Sequence, residues 1–253
     1  MTNKILVALF LVFASTTLWG QTYSNINNSI AVDEGGPGAV GWGSCVTCAG
    51  GASDVATISS APFQTSPSVD GSSRDFLISG DADANGLWWY KVGPNDTVSN
   101  FELDFWLYVA SSTSHARALE FDAFQFNTGV EYMFGTQCDY ESGTWDVWDM
   151  GTSAWVHTKF KCPEFQPDTW YHLSWKFHRT SPANEESYDS LTIEQSGSRG
   201  KLSTSTDKFN LVFPSAAMPS TWTDNMGVQF QMDIGGTGET MEEWVDEVTL
   251  TVH

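Results

Sequence analysis

The residues best suited to chemistry are two carboxylates and an amide, Glu120, Asp122 and Gln125, in a short stretch that is otherwise mostly Leu, Ala and Phe. Carboxylates at positions i and i+2 of a β-strand lie on the same face of the sheet, because successive side chains alternate. A one-residue bulge after Asp122 would turn Gln125 onto that face as well. The spacing therefore predicts a row of three polar side chains, a pattern suited to glycan chemistry.

Glu120 and Asp122 on one face would repel each other. The sequence thus predicts a raised pKa for at least one of them, unless a cation or a hydrogen-bond donor lies between them. Such a pair is typical of a glycosidase or of a metal site, and two solvated surface carboxylates are the simpler alternative.

The spacing Glu120-x-Asp122-x-x-Gln125 resembles the Glu-x-Asp-x-x-Glu signature of retaining β-glucanases with a concanavalin A-like jelly roll, namely the laminarinase/lichenase group and the cellobiohydrolases of the same clan. This resemblance implies that Glu120 is the nucleophile, that Asp122 tunes it, and that Gln125 stands where the acid/base belongs. An amide cannot donate and retrieve a proton at neutral pH, and losing a general acid costs about 10²–10⁴ in rate. Glu131, on an outward position of the next predicted strand, is the expected substitute acid, with Asp104 next.

A longer resemblance covers most of the chain and is to secreted bacterial concanavalin-like proteins. It is carried by residues 42–51, 87–89, 118–122, 134–139, 144–149 and 244–246. It implies an all-β fold, an antiparallel β-sandwich of the concanavalin A-like jelly-roll type. Short alternating runs separated by Gly, Pro, Asn, Asp and Ser point to the same fold class, and helical periodicity is almost absent.

Alternation in residues 101–109, 170–178 and 226–234 assigns apolar side chains to a core and polar or aromatic ones to an outward side. Stacked side by side, the outward sets predict one concave sugar-binding face. Its members are Glu102, Asp104, Trp106, Tyr108, Glu120, Asp122, Gln125, Glu131, Met133, Gln229, Gln231 and Asp233. An ordinary solvated sheet face is the alternative. Such faces usually carry Lys, Thr and Ser, whereas this set pairs carboxylates with Trp and Tyr.

Trp145 and Trp148, followed by Trp155 and His157, are predicted to form a hairpin rim above that face. They could stack on successive sugars, or they could stabilise the segment between Cys138 and Cys162, and the sequence leaves both alternatives open. His157 has no Ser or Cys nucleophile in a recognisable motif nearby, so a hydrolase triad is not expected.

Four cysteines in an exported chain predict two disulfides, Cys45–Cys48 and Cys138–Cys162. The segment after Cys48 is Ala-Gly-Gly-Ala-Ser, with no helix to lower a thiol pKa and no second pair at zinc-finger spacing. A structural disulfide is therefore favoured over a redox pair or half a zinc site. No cofactor is expected to be required. Asp246, with carbonyls around residues 33–36, is a candidate for a structural Ca²⁺, by resemblance to related jelly rolls.

Composition limits the partners. The formal net charge is −20, from 31 acidic and 11 basic residues, so nucleic acid and anionic membranes are disfavoured, whereas a neutral polysaccharide is not. Residues 1–20 are typical of a secretory signal peptide, which predicts an extracellular or periplasmic protein. Residues 21–253 are predicted to form a single domain, and the protein is expected to be a monomer.

The sequence thus predicts a secreted protein that acts on a neutral β-linked polysaccharide. We favour an endo-acting glycoside hydrolase, with Glu120 as nucleophile or base. The main alternative is a lectin or carbohydrate-binding module, in which Gln125 offers its amide to sugar hydroxyls. A polysaccharide lyase is the third possibility, and it would have to use His172 and Lys176 as its basic groups.

Overall fold

The computed structural model describes residues 20–46, 48, 55–162, 164–181, 183–196 and 202–253. The predicted signal peptide, residues 1–20, lies outside the described residues apart from Gly20, and the single-domain assignment for residues 21–253 stays a prediction. In the described ranges, no helix has the length and apolar character needed to cross a bilayer.

The described residues are almost entirely strand, with two short 3₁₀ helices at Ile26–Asn28 and Ser111–His115. The strands are β1 (Gln21–Tyr23), β2 (Gly41–Val46), β3 (Ala56–Gln64), β4 (Ser73–Gly80), β5 (Asn85–Gly93), β6 (Asn100–Val109), β7 (Ala116–Asn127), β8 (Val130–Phe134), β9 (Thr136–Asp139), β10 (Thr144–Asp149), β11 (Ala154–Lys161), β12 (Trp170–Arg179), β13 (Glu185–Ser196), β14 (Leu202–Pro214), β15 (Ala216–Ala217), β16 (Asn225–Ile234) and β17 (Glu239–Val252).

These strands form two antiparallel sheets. One, here called the back sheet, has the order β14-β13-β12-β6-β17-β4-β3, with β1 also paired to β17. The other, the front sheet, has the order β11-β10-β9-β7-β16-β5-β2, with β8 paired to β7 and β15 paired to β8. The antiparallel β-sandwich predicted from the sequence is therefore confirmed.

The core lies between the two sheets and follows the predicted alternation. Every second residue of β6 is buried from Phe101 to Val109, and β12 and β16 bury their alternate apolar residues in the same way. Aromatic rings meet across the interface: the Phe105 ring lies 5.2 Å from that of Phe121 and 5.3 Å from that of Phe230. Packed aromatic pairs of this kind add about 0.5–1.5 kcal/mol each beyond their area of burial.

Both predicted disulfides are confirmed, Cys45–Cys48 and Cys138–Cys162. Cys138 and Cys162 are buried in the core, and their bond links β9 to the segment that follows β11. Disulfides form and persist in oxidising compartments, so the pair indicates an extracellular or similar environment.

Candidate functional site

The side chain of Gln125 points the opposite way from those of Glu120 and Asp122. β7 keeps an unbroken register with β16 from Ala118 to Phe126, so no bulge follows Asp122. Strict alternation then sends Gln125 into the core, where it is fully buried and its Nε2 donates to the Asn95 carbonyl oxygen at 2.7 Å. The predicted three-residue row is therefore wrong, and Gln125 cannot bind a sugar or take the acid/base role on that face.

The predicted single concave face is also wrong, because its members lie on two different sheets. β6 belongs to the back sheet, whereas β7 and β16 belong to the front sheet. Since the inner side of β6 faces the core, Glu102, Asp104, Trp106 and Tyr108 line the outer face of the back sheet. They lie on the far side of the sandwich from Glu120 and do not belong to its site.

Two further predicted residues are repositioned. Trp145 is fully buried in the core, 5.5 Å from the ring of Trp175, so it cannot stack on a sugar. Glu131 lines the outer face of the front sheet, but it pairs with Phe126, six residues along β7 from Glu120. Six strand residues span about 20 Å. That distance rules out Glu131 as the acid that shares a glycosidic bond with Glu120.

The front sheet carries a row of polar side chains that crosses five strands on its outer face. Backbone pairing aligns His157 of β11, Asp146 of β10, Gln137 of β9, Glu120 of β7 and Gln231 of β16. We call this set the polar row. Its members are connected: Gln137 Nε2 donates to Asp146 Oδ2 at 3.0 Å, and Gln231 Nε2 donates to Glu120 Oε1.

Three carboxyl groups crowd the centre of this face. Glu120 and Asp122 are buried, and Asp233 lies beside Glu120, with Gln231 Nε2 also donating to Asp233 Oδ1 at 2.9 Å. Burial raises the pKa of Glu120 well above its usual range, and the negative charges of Asp233 and Asp122 raise it further. Burial likewise raises the pKa of Asp122 and that of Asp233, each to about 7. The predicted raised pKa is thus present, and the third partner, Asp233, was predicted only as part of the outward set.

Asp122 is held by donors rather than left free. The Thr136 backbone N–H donates to its Oδ1 at 2.7 Å, and Gln229 Nε2 donates to its Oδ2 at 2.6 Å. Both bonds favour the charged carboxylate and oppose the effect of burial on its pKa. With both oxygens bonded, Asp122 is better placed to orient its neighbours than to react.

Two adjoining cavities lie over this face and share Glu120 and Trp155 in their walls. The acidic cavity, of about 490 Å³, is lined by Asp83, Asn85, Arg117, Ala118, Glu120, Gln137, Asp139, Glu141, Ser142, Trp155, His157, Gln231 and Asp233. The aromatic cavity, of about 850 Å³, has a wall that includes Trp89, Phe124, Phe126, Glu131, Met133, Trp148, Met150, Trp155, Trp222 and Gln229. Together they form one groove, here called the front groove.

Trp89 has its ring held flat against the sheet in the aromatic cavity. Its neighbour on β2 is Gly43, where a Cβ atom would lie 2.4 Å from the indole ring, so only glycine leaves room for it. The indole Nε1 donates to Asp33 Oδ2 at 2.8 Å, and Lys91 contacts the same oxygen at 2.7 Å. An oriented aromatic face in an open cavity is suited to contact with the apolar face of a sugar ring.

Trp148 and Trp155 form a second aromatic element where the two cavities meet. They face each other across β10 and β11, with ring centroids 5.2 Å apart and edge to face. Trp148 lines the aromatic cavity, and its contact with sugar stays a prediction. Trp155 belongs to the predicted hairpin rim and lines both cavities. Trp89 was not predicted as a site residue, because the sequence did not reveal that β5 shares the sheet of β7.

Asp146 and His157 form a bonded pair at the other end of the polar row. Asp146 is fully buried, and its Oδ2 lies 2.8 Å from Nδ1 of His157, whose side chain is 63% exposed. The hydrogen bond to Asp146 and the negative charge of that residue raise the pKa of His157. The sequence could have suggested this pair, because Trp145-Asp146 and His157 both sit in alternating runs near the disulfide.

Asp246, the predicted Ca²⁺ ligand, is buried in β17 and does not meet residues 33–36. Its Oδ2 accepts hydrogen bonds from Ser68 Oγ and the Val69 N–H, and its Oδ1 accepts from Asn27 Nδ2 and the Glu247 N–H. Asp33 instead contacts the front sheet through Trp89 and Lys91. The predicted juxtaposition is therefore wrong, since donors from other segments occupy both oxygens of Asp246, and a structural Ca²⁺ stays an untested prediction.

The basic pair proposed for a lyase is also elsewhere. His172 and Lys176 lie on β12 in the back sheet, with His172 bonded to Asp104 at 2.8 Å and Lys176 contacting Glu102 at 3.3 Å. Neither reaches the front groove, so the lyase interpretation loses the groups on which it depended.

No protein-family profile and no curated protein sequence matches this chain. Solved structures with similarity to it include an alginate lyase of family PL-14 from Aplysia kurodai, with 10% identity, 78% of this chain and 87% of that chain covered, and a TM-score of 0.48. Lectin II from Ulex europaeus has 12% identity, with 92% of this chain and 97% of the lectin chain covered, and a TM-score of 0.41. The family 11 carbohydrate-binding module from Clostridium thermocellum has 12% identity, with 86% and 91% covered, and a TM-score of 0.36. Similarity at this level leaves the chemistry of the front groove to be argued from its own residues.

Proposed function

We propose that this protein is a secreted carbohydrate-active protein that binds a neutral β-linked polysaccharide in the front groove and hydrolyses it as an endo-acting glycoside hydrolase. The observation that carries the proposal is the cluster of Glu120, Asp122 and Asp233 on the floor of an open groove whose adjoining part is aromatic. An open groove accepts an internal stretch of a long chain, which suits endo-action.

Glu120 is the proposed general acid, in place of the role of nucleophile or base that the sequence predicted. A glycosidase acid must hold its proton near neutral pH, and enzymes achieve this by burying the carboxyl group beside other carboxylates. Glu120 meets both conditions, since burial and the neighbouring Asp233 and Asp122 raise its pKa well above the usual range. Its place in the wall of both cavities brings it to the point where a bound glycan would cross from one to the other.

Asp233 is the proposed second carboxylate. Gln231 Nε2 donates to Oδ1 of Asp233 at 2.9 Å and to Oε1 of Glu120, so the two carboxyl groups share one amide nitrogen. Two oxygens bonded to the same nitrogen lie within about 6 Å of each other. Carboxyl groups about 5–5.5 Å apart are typical of retaining glycosidases and wider pairs of inverting ones, so we expect retention of anomeric configuration.

A non-catalytic binding protein is the second candidate, and one observation favours it. Phe124 occupies the groove-side position after Asp122, and Gln125 is turned into the core. The β7 strand therefore presents two carboxylates rather than the three of the glucanase clan that its sequence resembles. In this alternative, the amides of Gln229 and Gln231 and the tryptophans of the groove would bind sugar without proton transfer.

The test uses the full chain with a panel of β-glucans, xylan and mannan, and measures both new reducing ends and retention on insoluble polymer. The wild type should release reducing ends from at least one glycan. Glu120→Gln and Asp233→Asn should each lower turnover by about 10²–10⁴ while retention persists, because shape is kept and proton chemistry is lost. Glu102→Gln, a matched change on the back sheet, should leave both readings unchanged.

Retention of the wild type without product would replace the hydrolase by the binding protein. Turnover that survives Glu120→Gln at the full rate would refute the assigned acid. Failure of every glycan to bind or react would remove the proposal altogether.

A further inference from the structure

We propose that Asp139, Asp146 and His157 form a binding site for one divalent transition-metal ion, of which Zn²⁺ is the best probe, at the end of the front groove. One ligand atom from each of these residues lies within 4.8 Å of the other two. The three side chains come from three neighbouring strands, β9, β10 and β11, and those of Asp139 and His157 line the wall of the acidic cavity.

The distances between these atoms fit a shared ion. His157 Nδ1 lies 2.8 Å from Asp146 Oδ2 and 3.8 Å from Asp139 Oδ2. A tetrahedral ion bound at about 2.0–2.2 Å from each ligand places those ligands about 3.4 Å apart. Shifts of well under 1 Å in an exposed imidazole would therefore bring the two closest pairs to that spacing.

The other oxygen of each aspartate is held by donors that belong to the surrounding chain. Asp139 Oδ1 accepts from the backbone N–H groups of Glu141 and Ser142, at 2.8 and 3.2 Å. Asp146 Oδ1 accepts from Thr144 Oγ1 at 2.8 Å. Outer contacts of this kind orient metal ligands, and both Oδ2 atoms lie near the same imidazole nitrogen. Asp146 Oδ2 also accepts from Gln137 Nε2 at 3.0 Å, which leaves its second lone pair for the ion.

A histidine on the back sheet also has two carboxylate neighbours, but they are arranged differently around its ring. His172 also contacts two carboxylates, but Asp104 lies at Nε2 (2.8 Å) and Glu194 at Nδ1 (3.5 Å), on opposite sides of the ring. No single ion could bind both carboxylates and the histidine there. At His157 both carboxylates gather around one nitrogen, which is the arrangement that a metal requires.

The surroundings favour a cation. The wall of the acidic cavity includes the carboxylates of Asp83, Asp139 and Glu141 against one arginine, Arg117, which contacts Asp83 at 2.7 Å and Glu141 at 3.3 Å.

The donor set indicates the class of metal. An imidazole nitrogen with two carboxylate oxygens suits Zn²⁺ and its first-row neighbours, whereas Ca²⁺ and Mg²⁺ prefer oxygen ligands only. Three protein ligands beside an open cavity leave a position for water or a sugar hydroxyl, as in sites where the metal takes part in binding or chemistry.

The test is calorimetric titration of the full chain, produced without a polyhistidine tag and freed of metal with a chelator, using ZnCl₂ and, separately, CaCl₂. The wild type should bind one Zn²⁺. His157→Ala should weaken Zn²⁺ binding at least tenfold, and His172→Ala, which removes the histidine of the contrasting cluster, should leave it unchanged. Because His157 is exposed, its replacement should fold normally, which a thermal melt would verify. Asp146→Asn provides a second disruption from the buried side.

A wild type that binds no Zn²⁺, or a His157→Ala variant that binds it as tightly as the wild type, would overturn the site. Binding of Ca²⁺ in preference to Zn²⁺ would overturn the assigned class of metal. These readings do not depend on any glycan activity, so they stand or fall separately from the hydrolase proposal.

Discussion

The two outer faces of the sandwich both carry acidic side chains, but these side chains have different partners on each face. On the back sheet, carboxylates meet cations or histidines: Glu102 with Lys176 at 3.3 Å, Asp104 with His172 at 2.8 Å, and Asp189 with His178 at 2.9 Å. On the front sheet, the central carboxyl groups meet amides, with Glu120 bonded to Gln231 and Asp122 to Gln229. Among the described residues, no lysine or arginine forms an ion pair with Glu120 or Asp122.

This difference separates a solvated face from the face that we propose to be reactive. Exposed ion pairs contribute only about 0–1 kcal/mol to stability and leave the carboxylate charged, which gives no proton to transfer. Amides satisfy a carboxyl group without adding positive charge, so burial and neighbouring acids can keep it protonated near neutral pH. The partners of its carboxyl groups, rather than the presence of acidic residues, distinguish the front groove from the back sheet.

The largest effect is expected at Gln125, on the inner side of β7, because its side chain points into the core and not outward as predicted. Gln125→Glu places a carboxylate in the core, and an uncompensated buried charge costs about 3–5 kcal/mol. Urea denaturation should therefore report a strong loss of stability, and no hydrolysis should be gained. Gln21→Glu, the same change at an exposed position, is the control. A Gln125→Glu protein of native stability would mean that this side chain faces the groove after all.

The next prediction concerns one carboxyl group on the core side of the back sheet, that of Glu243. Glu243 is fully buried, neither of its side-chain oxygens has a hydrogen-bond partner among the described residues, and burial raises its pKa to about 8. Between about pH 4.3 and pH 8 the folded protein keeps this proton and the unfolded chain releases it. Stability should consequently fall as pH rises through that window, by up to about 1.4 kcal/mol per pH unit from this group.

Glu243→Gln should remove this slope, because its amide does not titrate. Denaturation curves at pH 4, 6 and 8 should give the variant a growing advantage over the wild type as pH rises, whereas Glu102→Gln should follow the wild type. An unchanged pH slope in Glu243→Gln would show that Glu243 is ionised in the folded protein.

The smallest effect is expected at Glu131, which shares the outer face of the front sheet with Glu120 but not its position along β7. Glu131→Gln should change turnover less than about threefold, since about 20 Å of strand separates it from Glu120. Asp233→Asn in the same assay provides the contrasting large loss. If Glu131→Gln instead abolished turnover, the acid would lie at the far end of the groove.

Local patterning predicted much of the fold. Alternation identified the buried sides of β6, β12 and β16, and the cysteine count predicted both disulfides. Alternation of this kind does not predict β14. Its first half, Ser and Thr followed by Asp and Lys, lacks an apolar alternation, because an edge strand has exposed positions on both sides.

The site was harder to predict because it depends on which strands are neighbours. A period of two tells which side chains point outward but not from which sheet, so β6 and β7, consecutive in sequence, were placed on one face although they lie in opposite sheets. The polar row likewise depends on which strands are neighbours. It joins residues from 120 to 231 across five strands, and only the register of the front sheet brings them together.

The most direct test of the whole account is to remove one tryptophan from each outer face and measure glycan affinity by titration. Trp155 lies in the wall of both cavities of the front groove, and Trp106 lies on the back sheet, stacked on His172. Trp155→Ala should raise the dissociation constant for a bound glycan by roughly tenfold or more, equivalent to about 1.4 kcal/mol. Trp106→Ala should leave it within twofold, with both variants folded. The opposite result, affinity lost with Trp106→Ala and kept with Trp155→Ala, would place glycan binding on the back sheet and contradict the assignment of the front groove.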